Sequence, residues 1–256
     1  MLLETLLYFV LFHKHFNLTD GWLFLVLSMV CFSAFSNIQN NILDYELDQN
    51  KNNFTDFNRK TYLFWSFICG VTGALFGLIA FNVTENSQLF YALLIIPTLI
   101  LLYNYFLKKW PLIGNFLIAF AITYAIYIPL AYTKGINIDN PYFRFLLVMS
   151  LLLNFLRELA KDMEDAYFDR QFGYKTLPII NMRMSKILLT IFSLLTWLIM
   201  FSYINIFNNI YFYALIVISF VLLSYSIIQV FKENFELATK LLKLLMLIGV
   251  FSIFFI

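Results

Sequence analysis

Two runs of this chain carry carboxylates at intervals that stack them along one side of a helix. The first is Asn40-Asn41-Ile42-Leu43-Asp44-Tyr45-Glu46-Leu47-Asp48, and the second Arg157-Glu158-Leu159-Ala160-Lys161-Asp162-Met163-Glu164-Asp165-Ala166-Tyr167-Phe168-Asp169. Asn37, Asn40, Asn41, Asp44 and Asp48 step by three or four residues, as do Glu158, Asp162, Asp165 and Asp169. At about 3.6 residues per turn each set projects from one face. Carboxylates crowded this way repel one another and hold their protons more tightly unless positive charge compensates. Magnesium is the natural compensator: it takes oxygen ligands, keeps waters, and binds through one or two carboxylates plus phosphates. Arg59, Lys60, Lys108, Arg157, Lys161 and Lys175 stand near the two runs and suit the same phosphates. The expected chemistry is the handling of a lipid diphosphate at a membrane. Glu46 and Glu164 point off both stripes and read as solvated helix positions. Glu158 or Asp162 beside Lys161 also fits a simple ion pair when taken singly.

The elements that position these residues are membrane spans. The chain has 256 residues, 62% hydrophobic and 12% charged, a balance that belongs to a membrane protein. Nine apolar segments fall roughly at 2–16, 22–41, 60–82, 88–107, 112–132, 142–161, 185–206, 210–231 and 238–256, each near the ~20 residues a helix needs to cross hydrocarbon. The alternation of a β-barrel is absent, so the backbone must satisfy itself in helices. The expectation is an all-α, polytopic membrane helix bundle of about nine transmembrane helices, forming one domain over 1–256. Acids beside such spans are costly and mark function.

Other features bound the reading. A net charge of +2 gives no basis for nucleic acid as a partner; membrane lipids are the expected surroundings. Cys31 and Cys69 lie inside apolar runs and read as small buried residues. His13 and His15 flank Lys14 in a short turn with no third ligand nearby. The first span lacks the positive start and cleavage site of a secretory signal, so it is expected to be retained, and its shortness leaves room for a start upstream of Met1. Of the 17 Lys and Arg, all but Lys14, Lys134 and Arg144 fall in or beside the four connections after the even-numbered segments. This bias puts those connections in the cytoplasm. Both acidic runs lie on the same side, so the expected protein is a multi-pass component of the cytoplasmic (inner) membrane whose active site faces the cytoplasm.

These motifs resemble those of the UbiA superfamily of intramembrane prenyltransferases. Asn40-x3-Asp44-x3-Asp48 is similar to the family's first motif. The run from Arg157 through Lys161, Asp162, Asp165 and Asp169 to Gly173, Thr176, Leu177 and Pro178 is similar to its second. Leu107-Lys108-Lys109-Trp110-Pro111-Leu112-Ile113-Gly114-Asn115 resembles its fourth–fifth loop, and the nine-segment layout extends the likeness to nearly the whole chain. The resemblance implies Mg2+ held by Asn40, Asp44, Asp48, Asp162, Asp165 and Asp169, with the five aspartates central to catalysis. It implies a polyprenyl diphosphate donor bound by Asn40, Asn41, Lys51, Lys108, Arg157, Lys161 and Lys175, and attack of an acceptor on the allylic C1. The second motif, with its Thr-Leu-Pro sequel, is most similar to the branch that builds geranylgeranylglyceryl phosphate ethers. That branch implies a geranylgeranyl donor and a lipid acceptor such as geranylgeranylglyceryl phosphate.

The chain departs from the family pattern in places. Asn41 stands where many relatives have Asp, Gln49 to Asn53 replace a basic stretch and leave Lys51 as the nearby cation, and Phe168 replaces a Gly. These changes predict weaker phosphate binding at the first motif. The alternatives are an aromatic acceptor, as in quinone or haem biosynthesis, and a non-catalytic relative that only binds lipid diphosphates. A transporter is a further alternative, disfavoured because the acids crowd at one side and leave the midplane nearly empty.

Overall fold

A computed structural model of the chain describes residues 21–50, 58–85, 87–108, 110–132, 141–171, 173–207 and 209–252. The segment expected at 2–16 lies outside the described residues, as does Lys51. Among those described, every regular element is helical: α1 Trp22–Asn50, α2 Arg59–Thr84, α3 Ser87–Leu102 continued by a π turn Tyr103–Leu107, α4 Ile113–Tyr132, α5 Pro141–Gln171, α6 Leu177–Ser202, the short α7 Ile204–Phe207, α8 Ile210–Phe231 and α9 Phe235–Ser252. Among the described residues, five stretches are long and apolar enough to cross a membrane: Trp22–Leu43, Arg59–Thr84, Phe90–Leu107, Leu177–Phe207 and Ile210–Phe231. Large apolar side chains on them, such as Phe67 and Leu198, face outward, as lipid-facing positions do.

Local chemistry sets the helix limits. Asn58 and Asn209 cap α2 and α8, their Oδ1 atoms accepting from the backbone N–H of Lys60 at 3.1 Å and Tyr211 at 2.9 Å. α6 begins at Leu177, with Pro178 in its first turn, eight residues before the apolar segment expected at 185. Asn181 then leaves helical geometry (φ −154°, ψ 94°), and its side chain accepts from Met184 N–H at 3.0 Å, restarting the helix past the kink.

The chain divides into two compact units: Met1–Lys108 with Tyr124–Gly135, and Lys109–Thr123 with Ile136–Ile256. In the first, Trp22, Leu25 and Met29 of α1 pack with Ala80 of α2, Ala92 of α3, and Ala125 and Ile128 of α4. Small residues bring α1 and α2 together: Ser28 Oγ donates to the Gly73 carbonyl at 2.7 Å, and a Cβ on Gly73 would lie 3.2 Å from that of Cys31. In the second, Leu156, Leu159, Ala160 and Met163 of α5 join Leu189 of α6, Leu223 of α8 and Leu242 of α9 in one core. An aromatic group of Phe145, Tyr203, Phe207 and Phe212 closes it, the last two rings stacked at 4.1 Å.

Candidate active site

In the first unit, α1 runs nine residues beyond the apolar stretch 22–41, to Asn50. Asn40, Asn41, Asp44 and Asp48 therefore ride on a helix and not in a loop. The side chains of Asp44 and Asp48 lie outside the description. Asn40 Oδ1 accepts a hydrogen bond from Lys108 Nζ at 3.0 Å, which joins two residues predicted to handle phosphate. Asn41 is half-buried. One residue before Asn40, the buried Gln39 accepts from the Tyr105 hydroxyl at 3.0 Å and donates to Ser66 Oγ at 2.7 Å. Tyr105 belongs to the π turn, which the Lys108 N–H closes by bonding the Tyr103 carbonyl at 2.9 Å. Such turns insert an extra residue per turn and recur at functional sites.

In the second unit, α5 continues ten residues beyond the apolar stretch 142–161, to Gln171, and carries the acidic part of the second motif, Arg157 to Asp169. Asp162, the first residue past that stretch, accepts from Asn115 Nδ2 at 2.7 Å. Burial pushes its carboxyl up to about 7; Glu158 and Asp169 add to the rise, while the Asn115 hydrogen bond and Lys161 oppose it. Glu158 is buried and pairs with its neighbour Arg157, Nη2 to Oε1 at 2.5 Å, while Arg157 Nε is buried without a partner. Asp165 and Asp169 are half-buried, and Lys161, Glu164 and Lys175 are exposed. Glu164 thus points off the acidic face, as its spacing requires. Arg170 Nη2 donates to the Ile179 carbonyl at 3.2 Å, and Lys186 pairs with Glu233 at 2.9 Å. The second motif, the start of α6 and the α8–α9 turn therefore share one end of this unit, as the distribution of basic residues requires.

Asn115 and Gln39 are the polar contributors that spacing did not single out as site residues. Both stand beside apolar runs, where an amide side chain is costly without a partner; that was the available signal.

Among the described residues, no three His, Cys, Asp or Glu side chains converge to hold a metal by themselves. The donor set nevertheless suits a hard cation. Asp162 is a desolvated carboxyl with further carboxylates on its helix face, an arrangement that a divalent ion relieves and substrate phosphates complete.

The sequence matches the UbiA prenyltransferase family over residues 2–251. The chain belongs to that family. It is accordingly a prenyltransferase and an integral, multi-pass membrane protein. Within UbiA it resembles the ether-forming branch: it is 30% identical to the digeranylgeranylglyceryl phosphate synthase of Thermococcus gammatolerans over 236 residues, covering 89% of this chain and 80% of the relative. A solved structure of a digeranylgeranylglyceryl phosphate synthase superposes with a TM-score of 0.71 at 21% identity, covering 98% of this chain and 91% of the other. A UbiA homologue from Archaeoglobus fulgidus, solved with DMAPP and Mg2+, gives 0.62 at 17% identity, covering 98% and 93%. These likenesses bear out the all-α UbiA fold expected from the sequence.

Proposed function

We propose that this UbiA enzyme transfers a geranylgeranyl group from its diphosphate to a glycerol-based lipid acceptor such as geranylgeranylglyceryl phosphate, within a single catalytic domain over 1–256. The observation that carries the reading is Asp162, a desolvated carboxyl oriented by Asn115 and flanked by Glu158 and Asp169. The names of the relatives supply the branch, and the Archaeoglobus homologue supplies the metal.

Asn40, Asp44 and Asp48 on α1, and Asp162, Asp165 and Asp169 on α5, are the proposed oxygen ligands to Mg2+. When bound, the ion offsets negative charge growing on the departing diphosphate. Lys108 and Arg157, each already held by a neighbour, bind phosphate oxygens as fixed cations. Lys161 and Lys175, which are exposed, together with Asn41 and Lys51, complete the headgroup contacts. The C1–oxygen bond to diphosphate breaks, the acceptor hydroxyl oxygen bonds C1, and the hydroxyl proton leaves. Apolar helix walls keep water from capturing the allylic cation. The bias of basic residues toward these connections supports a site at the cytoplasmic face of the inner membrane.

The test is product analysis. Purified protein in lipid nanodiscs receives labelled geranylgeranyl diphosphate, Mg2+ and a panel of glycerol phosphate and aromatic acceptors. Label in a digeranylgeranyl glycerol ether is expected. Label in a quinone precursor, or diphosphate binding without transfer to any acceptor, would overturn the acceptor assignment.

A further inference from the structure

Gln39 is a buried amide next to the first acidic motif, and it stands outside the set of proposed ligands. Its hydrogen bonds reach two other helical elements. Oε1 accepts from Tyr105 in the π turn after α3, and Nε2 donates to Ser66 of α2, itself buried. An amide gives directional bonds of opposite sense from its two ends, so both are met at one rotation of α1 about its axis. Gln39 and Asn40 are adjacent on α1, and Asp44 lies one turn beyond Asn40. Tyr105 and Lys108 are separated by three residues in the same turn, and they bond to Gln39 and Asn40 respectively. The pairing is thus in register: the turn that fixes Gln39 also delivers the ammonium to Asn40.

We infer that Gln39 is a positioning residue, pinned between Tyr105 and Ser66, that sets the rotation of α1 so that the first motif presents its oxygens to the magnesium-bound diphosphate. Leucine at 39 fills similar space but specifies no rotation. This inference rests on the function proposed above, so the test reads donor binding, which needs no acceptor and no turnover.

The experiment measures binding of labelled geranylgeranyl diphosphate to the full chain in nanodiscs across a magnesium titration. It compares wild type, Gln39→Leu, Tyr105→Phe and the double variant. Loss of a buried, directional hydrogen-bonded anchor is expected to raise the magnesium concentration for half-maximal binding about tenfold in Gln39→Leu and about threefold in Tyr105→Phe. Binding at saturating magnesium should be retained in both. The double variant should match Gln39→Leu, because both changes remove one anchor. An unaltered magnesium requirement in Gln39→Leu overturns the inference. So does a double variant in which the two effects multiply, to about thirtyfold, because Tyr105 would then act independently of Gln39. If Gln39→Leu does not fold, Tyr105→Phe decides alone: it removes one hydroxyl, and an unchanged requirement overturns the inference. Failure of the wild type to bind the donor at any magnesium concentration instead overturns the proposed function.

Discussion

The two acidic motifs are held in different ways. The second rides on a helix whose neighbouring residues Leu156, Leu159, Ala160 and Met163 are almost wholly buried, so the helix is set by a packed core, and Asn115 adds one hydrogen bond to Asp162. At the first motif, Ile42 is buried, and polar anchors from other elements join it: Lys108 on Asn40, and Tyr105 and Ser66 on Gln39. Packing fixes a helix through many small contacts, and losing one changes little. Hydrogen bonds fix it through few, and each is felt. The first motif should therefore be the more easily disturbed by conservative polar substitutions nearby.

The largest expected effect is common to both motifs and sets the scale for the rest. Asp162→Ala removes the desolvated carboxylate outright, and product formation should fall by at least about a thousandfold, the scale of losing a preorganised electrostatic group. Asp44→Ala should do the same. Full turnover in either variant, measured by diphosphate release, would remove that motif from the chemistry.

Acidity probes Asp162 next. Burial pushes its carboxyl up to about 7, and magnesium binds the ionised form. Each pH unit below that value should raise the magnesium needed for half-maximal rate by up to about tenfold, with a plateau above it. The same raised value favours the protonated folded state. Without magnesium, stability should accordingly decline as pH rises from the carboxylate's ordinary 3.8 toward 7. Melting curves in chelator at several pH values read the second effect, and a flat profile in both experiments would show that Asp162 is solvated after all.

Smaller effects sharpen the contrast. Asn115→Ala leaves Asp162 without its donor and should lower kcat about tenfold, as loss of a hydrogen bond to a charged group does. Lys108→Met should raise the donor KM about tenfold with little change in kcat, since a phosphate-binding cation acts on the ground state as well. Reversal of these two patterns would interchange the roles given to the two residues. Smallest of all, Glu233→Gln breaks an ion pair whose carboxylate is largely exposed and should leave the melting temperature and activity unchanged.

Much of this architecture was legible before any coordinates. The segment expected at 210–231 is the helix Ile210–Phe231, because Asn209 caps it where the apolar run starts. Hydropathy failed where helix and hydrocarbon part company. α1 and α5 continue as helices through their polar motifs, and α6 starts at Leu177, ahead of the apolar segment expected at 185. Periodicity placed Asp162 on the acidic face and Glu164 off it, as observed. It had no way to find Asn115 beside Asp162 or Tyr105 beside Gln39, which are 47 and 66 residues apart in the chain. Those partnerships depend on how helices pack, and no local spacing carries that.

The Arg157–Glu158 pair carries a consequence for how this gene can drift. For the fold alone, deleting either charge strands the other in a largely desolvated spot, at a penalty of about 3–5 kcal/mol, whereas exchanging both for apolar residues is close to neutral. Every one-step loss of charge from this dipeptide descends into a valley, and the level plain two steps away lacks the guanidinium that the proposed phosphate contact needs. The codons are contiguous, so a single short replacement crosses to that plain in one event, losing the phosphate contact and not the fold.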